Sequence, residues 1–290
     1  MAGNNVIGLL IPVLLTLAAP VLGGLLVGVD RKVTARMQSR IGPPILQPFY
    51  DVIKLWSKEP FITGSIQPVL AFSYMGFAIV AVGLLMFRQD LLLILFTAAI
   101  ADVCLITASL SSKSPYSYIG GRRELLSVLA YEPVLMLASV SIYLVTGSFL
   151  IEGILAYNTP LFTVLPAVLV AMELVLVVEM KKSPFDVSAS GHAHQELVRG
   201  VFTEFSGYTM AMLELGHWVK TVLVLCMTAL FWAPNLLAGA GLAAIMFFIA
   251  LAVDNSYPRL TWKRMLGTTW GVGFVLILAN IVGLSLMGVI

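Results

Sequence analysis

The sequence predicts an all-α integral membrane protein of about eight transmembrane helices, with one more amphipathic helix on the cytoplasmic side. Three observations predict it. First, of 290 residues 59% are hydrophobic and only 11% charged, whereas an ordinary soluble domain carries about a quarter charged residues. Second, the apolar residues fall in blocks of roughly 20, the length of a helix that crosses about 30 Å of hydrocarbon. Third, the basic residues are confined to alternate loops.

Backbone groups in lipid must be satisfied internally, so the apolar blocks are helices. They span residues near 6–29, 67–87, 91–110, 125–147, 161–180, 205–232, 237–253 and 267–289. No internal repeat, low-complexity tract or soluble domain interrupts them, and 1–290 reads as a single membrane domain. The loops 30–66, 111–124, 181–204 and 254–266 hold all but two of the 17 Lys and Arg, the exceptions being Arg88 and Lys220. Cytoplasmic loops carry the Lys/Arg excess. The chain is therefore expected in the cytoplasmic membrane, multi-pass, with both termini on the non-cytoplasmic side and partners docking from the cytoplasm. No basic residue precedes the first span, so it does not read as a cleaved signal peptide. The net charge of +2 follows from this topology signal and gives no reason to expect a nucleic-acid partner.

The largest loop begins DRKVTARMQSRIGPPILQPFYDVIKLWSKEP. Gly42-Pro43-Pro44 is a backbone break, because proline lacks an N–H and restricts the residue before it. Beyond it Phe49, Val52, Ile53 and Trp56 recur at helical spacing, with Asp51, Lys54 and Lys58 between them. That pattern suits a helix in the bilayer interface or under a partner subunit, and equally a plain amphipathic anchor. A second polar stretch, SPFDVSASGHAHQELVRGVFTEFSG at 183–207, precedes the sixth span. Leu197, Val198, Val201, Phe202 and Phe205 form an apolar stripe that predicts an amphipathic helical turn leading into that span.

Asp102, Glu132, Glu173, Glu179 and Glu214 fall within predicted spans, joined by His217 and Lys220. A mid-span Asp, Lys or Arg costs roughly 2.5–3.5 kcal/mol on insertion scales, so such residues face one another, a partner or water, and often mark proton or ion paths. Glu214, His217 and Lys220 stand at i, i+3 and i+6 of one helix, and the bland reading is a salt-bridge cluster that holds helices together. Glu179, beside Lys181 and Lys182, fits an interfacial ion pair equally well. His192, His194, Glu196 and Glu204 could pass protons near the cytoplasmic surface, because imidazole titrates near neutrality. Glu214-x-x-His217 has the spacing of half a di-iron site, but no second such motif exists, and a metal is not expected. Cys104 and Cys226 sit singly in apolar spans as small hydrophobes. Without a C-x-x-C pair the chain is not expected to hold an iron–sulfur cluster.

Three ordered motifs, ARMQSRIGPPILQP, GGRRELLSVLAYEP and PFDV…QELVRGVFTEFSG, resemble the membrane subunit at the heel of respiratory complex I, which recurs in energy-converting nickel–iron hydrogenases. The resemblance covers about residues 25–220. It implies a subunit without a redox centre of its own. Such a subunit anchors cytoplasmic electron-transfer subunits and links their chemistry to ion movement through antiporter-like neighbours. By motif match, Glu132, Glu196, Glu204 and Glu214 resemble that family's acidic path, with Asp102, Glu173, His217 and Lys220 as further candidates. Arg36, Arg40, Asp51, Lys54, Arg122, Arg123, Glu124, Asp186, His192, His194 and Arg199 match or flank the junction with the cytoplasmic arm.

Two departures distinguish the branches. The complex I pattern carries about six more residues in the loop before LQP, at its quinone entrance; here GPP runs straight into ILQP. Its acidic E-A-E-x-E run after PFD is replaced by His192-Ala193-His194-Gln195-Glu196. Both forms resemble the hydrogenase branch. That branch implies partner subunits carrying iron–sulfur clusters and a nickel–iron centre: hydrogenase large and small subunits, an iron–sulfur subunit and an antiporter-like membrane subunit. Ferredoxin would supply electrons, and proton reduction would drive H⁺ or Na⁺ across the membrane. A quinone-reducing complex I-like enzyme, an independent secondary transporter and a pure anchor are the alternatives.

Overall fold

The computed structural model describes residues 2–62, 64–185 and 200–288, with side chains from Gly8 onward. In chain order the helices are α1 (Ala2–Met37), α2 (Gln47–Trp56), α3 (Ile66–Met86), α4 (Leu91–Leu110), α5 (Pro115–Thr146), α6 (Ile151–Leu155), α7 (Leu161–Val164), α8 (Pro166–Glu179), α9 (Gly207–Ala229), α10 (Leu236–Ser256) and α11 (Trp262–Leu286). Short 3-10 turns occupy Gly200–Phe202 and Leu230–Trp232. Among the described residues, seven helices are long and apolar enough to cross a membrane: α1, α3, α4, α5, α9 with its 3-10 extension, α10 and α11.

Local chemistry sets the helix ends. The Asp90 carboxylate accepts from the Leu92 and Leu93 amides at 2.8 and 3.4 Å and caps α4. The Asn235 side chain does the same for α10, accepting from Leu237 and Ala238 at 3.0 and 3.3 Å. Such caps satisfy amides that lack intrahelical partners. α1 runs eight residues past the predicted end at Val29, because the polar segment Asp30–Met37 keeps helical bonding and Thr34 Oγ1 donates to Asp30 Oδ1 at 3.2 Å. α5 starts ten residues before the predicted 125, with Pro115 at its first position, where a missing N–H costs nothing. The predicted continuous span 161–180 is corrected to two pieces. Leu165 leaves helical geometry at φ −117°, ψ 50°, and Pro166 opens α8 without an amide to bridge the break. Within the predicted amphipathic lead-in, Gly200–Phe202 is a 3-10 turn separated from α9 by residues 203–206. The rest of that lead-in lies outside the described residues.

The chain forms two compact units, 1–114 with 204–223 and 115–203 with 224–290. In the first, α3 and α4 pack as a hairpin, with α1 on α3 and α2 on α1. The α9 segment enters this unit through glycines: Gly216 meets the Tyr74 ring, and Gly23 of α1 meets the Trp218 backbone. In the second, α5, α8 and α11 pack on one another. Trp270 Nε1 of α11 donates to the Leu129 carbonyl of α5 at 3.0 Å, and Asn280 Nδ2 donates to the Val164 carbonyl at 3.1 Å. α1 shows Leu9, Leu14, Leu17 and Val21 to the outside, 52–66% exposed, the face of a lipid-contacting helix rather than a water-facing one.

Candidate functional site

In the first unit the candidate groups follow α9. Ahead of the helix, the Glu204 carbonyl accepts from Gln67 Nε2 at 3.2 Å, and Ser206 Oγ accepts from the Phe61 amide at 2.6 Å. Gly207 opens α9 at φ +58° against the Lys58 carbonyl and Pro60. That close approach leaves no room for a Cβ and fixes the start of the helix against the loop after α2. Further along stand Glu214 and His217, both half-buried, then Lys220. At about 1.5 Å per residue, Lys220 lies roughly 20 Å along the axis from Gly207.

Lys220 is 4% exposed and Asp102 of α4 is 2% exposed, and Lys220 Nζ donates to Asp102 Oδ1 at 2.5 Å. The sequence places Lys220 with Glu214 and His217 on one helix. The fold brings it to an acid 118 residues away. Desolvating two charges costs several kcal/mol per ion, and only close, well-directed geometry compensates.

Near α2 the junction candidates are on the surface. Arg31 Nη1 meets Asp51 Oδ2 at 2.7 Å, and Gln47 Nε2 donates to Asp51 Oδ1 at 3.1 Å. Partial burial pushes the Asp51 carboxyl up. The hydrogen bonds from Arg31 and Gln47, with the charges of Arg31 and Lys54, outweigh it and hold the group below its ordinary 3.8. Arg36, Arg40 and Lys54 are exposed, and Arg40 Nη2 donates to Gln38 at 2.8 Å. Phe49 of α2 packs edge-on against Trp218 with ring centroids 5.5 Å apart, and Gly28 of α1 meets the Ile45 carbonyl. The GPP connection is thus drawn tightly over α1.

In the second unit, Glu124 is buried, and its carboxylate pairs with Lys181 Nζ at 3.0 Å. The Lys181 ammonium also lies 5.0 Å from the Phe202 ring centroid. Arg122 is exposed and donates to the Tyr118 hydroxyl at 2.6 Å; Arg123 follows it on α5. Glu179 is 5% exposed. Glu132 and Glu173 are half-buried on α5 and α8, and both Glu173 oxygens are buried without a hydrogen-bond partner among the described residues. Asp186, His192, His194, Glu196 and Arg199 lie outside the described residues. Among the described residues no group of three His, Cys, Asp or Glu is placed to hold a metal.

Sequence reasoning missed a second pair. Lys182 Nζ meets Asp254 Oδ2 at 3.1 Å, and the Ser183 amide donates to Asp254 Oδ1 at 2.9 Å. No periodic signal marks it, because the two residues are 72 apart and stand near the ends of different helices.

A family model described as NADH dehydrogenase matches residues 9–285. Similar curated proteins include a subunit of the NADH-quinone oxidoreductase of Thermomicrobium roseum, 28% identical over 87% of this chain and 87% of that protein. Hydrogenase-4 component C of Escherichia coli is also 28% identical, over 87% of this chain and 88% of its own. A chain in the structure of the membrane-bound sulfane sulfur reductase, an archaeal respiratory membrane complex, is 26% identical. It superposes with TM-score 0.83, covering 95% of this chain and 98% of that one. The chain therefore belongs to the NADH dehydrogenase family and is a multi-pass membrane subunit of a multisubunit, complex I-like respiratory oxidoreductase.

Proposed function

We propose that this chain is the membrane subunit of an energy-converting nickel–iron hydrogenase. In this reading it anchors the cytoplasmic hydrogenase and iron–sulfur subunits and couples ferredoxin-driven proton reduction to H⁺ or Na⁺ movement through an antiporter-like neighbour. The observation that carries the branch is the short α1–α2 connection. Complex I-type sequences carry a longer loop there, whereas here Ile45 rests on Gly28 and Phe49 covers Gly24 and Trp218. Aromatic and backbone packing fills the space beside α2, which suits a junction that transfers no electrons to quinone. The replacement of two acids by His192 and His194 points the same way.

The ion-coupling role rests on titratable groups set in the spans. Glu204, Glu214, His217, Lys220 and Asp102 make up one series in the first unit, and Glu132 and Glu173 stand in the second. Glu196, His192 and His194 belong to the cytoplasmic junction. Asp102 and Lys220 bring opposite charges from two helices together in that series, and His217 stands one helical turn before Lys220 on α9. Charged and titratable groups set at successive depths of one helix are what an ion path needs. The excess of Lys and Arg in alternate loops supports an orientation with both termini outside.

The likeness to the sulfane sulfur reductase favours a second reading, in which the same membrane role serves a sulfur-reducing partner instead. One experiment separates the readings: affinity purification of the intact complex through this chain, followed by nickel, iron and quinone quantification. Near-stoichiometric nickel with abundant iron supports the hydrogenase. Iron without nickel or quinone supports the sulfur reductase, and iron with bound quinone overturns both in favour of a complex I-like enzyme. Glu204→Gln tests the relay. It is expected to keep hydrogen evolution while losing most of the coupled ion movement, and full coupling in the variant would remove Glu204 from the path.

A further inference from the structure

We infer that Asp254 is a positioning residue for the cytoplasmic junction, a latch that fixes where the chain leaves α8 and ties that point to the α10–α11 connection. The inference rests on the reading of residues 181–204 as the docking side for the electron-transfer subunits. α8 ends with Lys181 in left-handed geometry, φ +54°, its amide bonded to the Val178 carbonyl at 3.0 Å and the Lys182 amide to Val177 at 3.1 Å. That turn sends two successive lysines to different partners. Lys181 goes to Glu124 and the Phe202 ring; Lys182 goes to Asp254.

Asp254 uses both oxygens. One accepts from Lys182 Nζ at 3.1 Å, the other from the Ser183 amide at 2.9 Å. Only a carboxylate offers two acceptor oxygens here; an asparagine offers one. The Lys182 and Asp254 side chains are 17% and 19% exposed, so water screens the pair less than a surface one. The grip continues past the ion pair. Ser183 Oγ donates to the Tyr257 carbonyl at 3.2 Å, the Leu260 amide donates to the Pro184 carbonyl at 2.5 Å, and Phe185 is 2% exposed. At the far flank, Gly200 and Val201 lie so close to Gly120 of α5 that a Cβ there would overlap their backbone. Both described flanks of the junction are thus held by the second unit, one by α5 and the other by the α10–α11 connection. Asp254 is the acid that fixes the second.

The test uses the intact complex in native membranes and follows NaCl-dependent release of the iron-bearing cytoplasmic subunits, together with ions moved per electron pair transferred. Asp254→Asn keeps the shape of the side chain but cannot satisfy both donors. Release is expected to be about 2- to 30-fold faster, the range for mutations that act through a positioning network, with lower coupling. Asp254→Glu is expected to restore part of the retention, which a merely bulky contact would not require. If Asp254→Asn fails to insert, Lys182→Met cuts the same ion pair and leaves the Ser183 bond. Unchanged release and coupling in an inserted variant overturns the latch. Wild-type complexes that carry no cytoplasmic electron-transfer subunits overturn the docking reading instead.

Discussion

Lys220 Nζ donates to Asp102 Oδ1 at 2.5 Å, with both side chains no more than 5% exposed. The pair ties α4 to α9 inside the first unit through two opposite, buried charges. Removing either charge leaves the other in a buried site.

Breaking the pair from one side is therefore expected to cost more than removing it. Asp102→Asn takes the carboxylate away from a buried ammonium, a loss of about 3–5 kcal/mol for comparable buried pairs, whereas replacing both partners with apolar residues is often close to neutral. Thermal unfolding of the detergent-solubilised chain should thus rank Asp102→Asn below the double variant Asp102→Leu/Lys220→Met. Equal stability of the single variant and wild type would show that the two charges do not depend on each other.

Glycine contacts give a sharper contrast in the same unit. An added Cβ at Gly28 meets the Ile45 carbonyl, and backbone cannot move aside cheaply; at Gly76 it meets nothing within 4 Å. Gly28→Ala is expected to destabilise by about 1–3 kcal/mol, the usual cost of overpacking. Gly76→Ala should be neutral or stabilising by up to about 1 kcal/mol, from helix propensity. Protease sensitivity at the exposed Lys54 and Lys58 reports whether α2 has come loose from α1, and it should rise in Gly28→Ala alone.

What the sequence made legible, and what it hid, follows from how each signal works. The α4 boundaries, 91–110, match the structure because Asp90 and the apolar run both mark them. The α1 and α5 extensions were missed because hydropathy ends at the membrane edge while helical bonding continues into polar residues. The α7–α8 break was missed because proline interrupts bonding without interrupting hydropathy. Asp102 and Lys220 stood out as misplaced charges, but periodicity relates residues on one helix and cannot pair α4 with α9. Lys182 was read beside Glu179, its nearest acid in sequence, and its pairing with Asp254 escaped notice because both lie near span ends, where charges are ordinary.

The Arg31–Asp51 pair carries a pH dependence of known sign. Asp51 ionises below its ordinary 3.8 when folded, so its contribution is fully present above that value and is lost as pH falls through the lower folded value. With both side chains 42% exposed, the pair is screened and worth about 0.2–1 kcal/mol. Wild type should therefore exceed Asp51→Asn in stability by no more than about 1 kcal/mol at pH 6, with the gap closing below about pH 4 and shrinking in high salt. A gap that persists at pH 2 would mean that Asp51 acts through packing rather than charge.

Orientation is the last prediction, and it follows from charge alone. Lys113 and Lys263 lie in loops rich in Lys and Arg, whereas Arg88 follows the second predicted span on the opposite side. Replacing Cys104 and Cys226 with alanine and introducing one cysteine at a time at positions 88, 113 and 263 gives three probes for a membrane-impermeant maleimide. The cysteine of Arg88→Cys should react in intact cells or spheroplasts, and those of Lys113→Cys and Lys263→Cys only in inside-out vesicles. The reverse pattern would turn the protein over, place the basic loops outside, and remove the cytoplasmic face on which the docking reading depends.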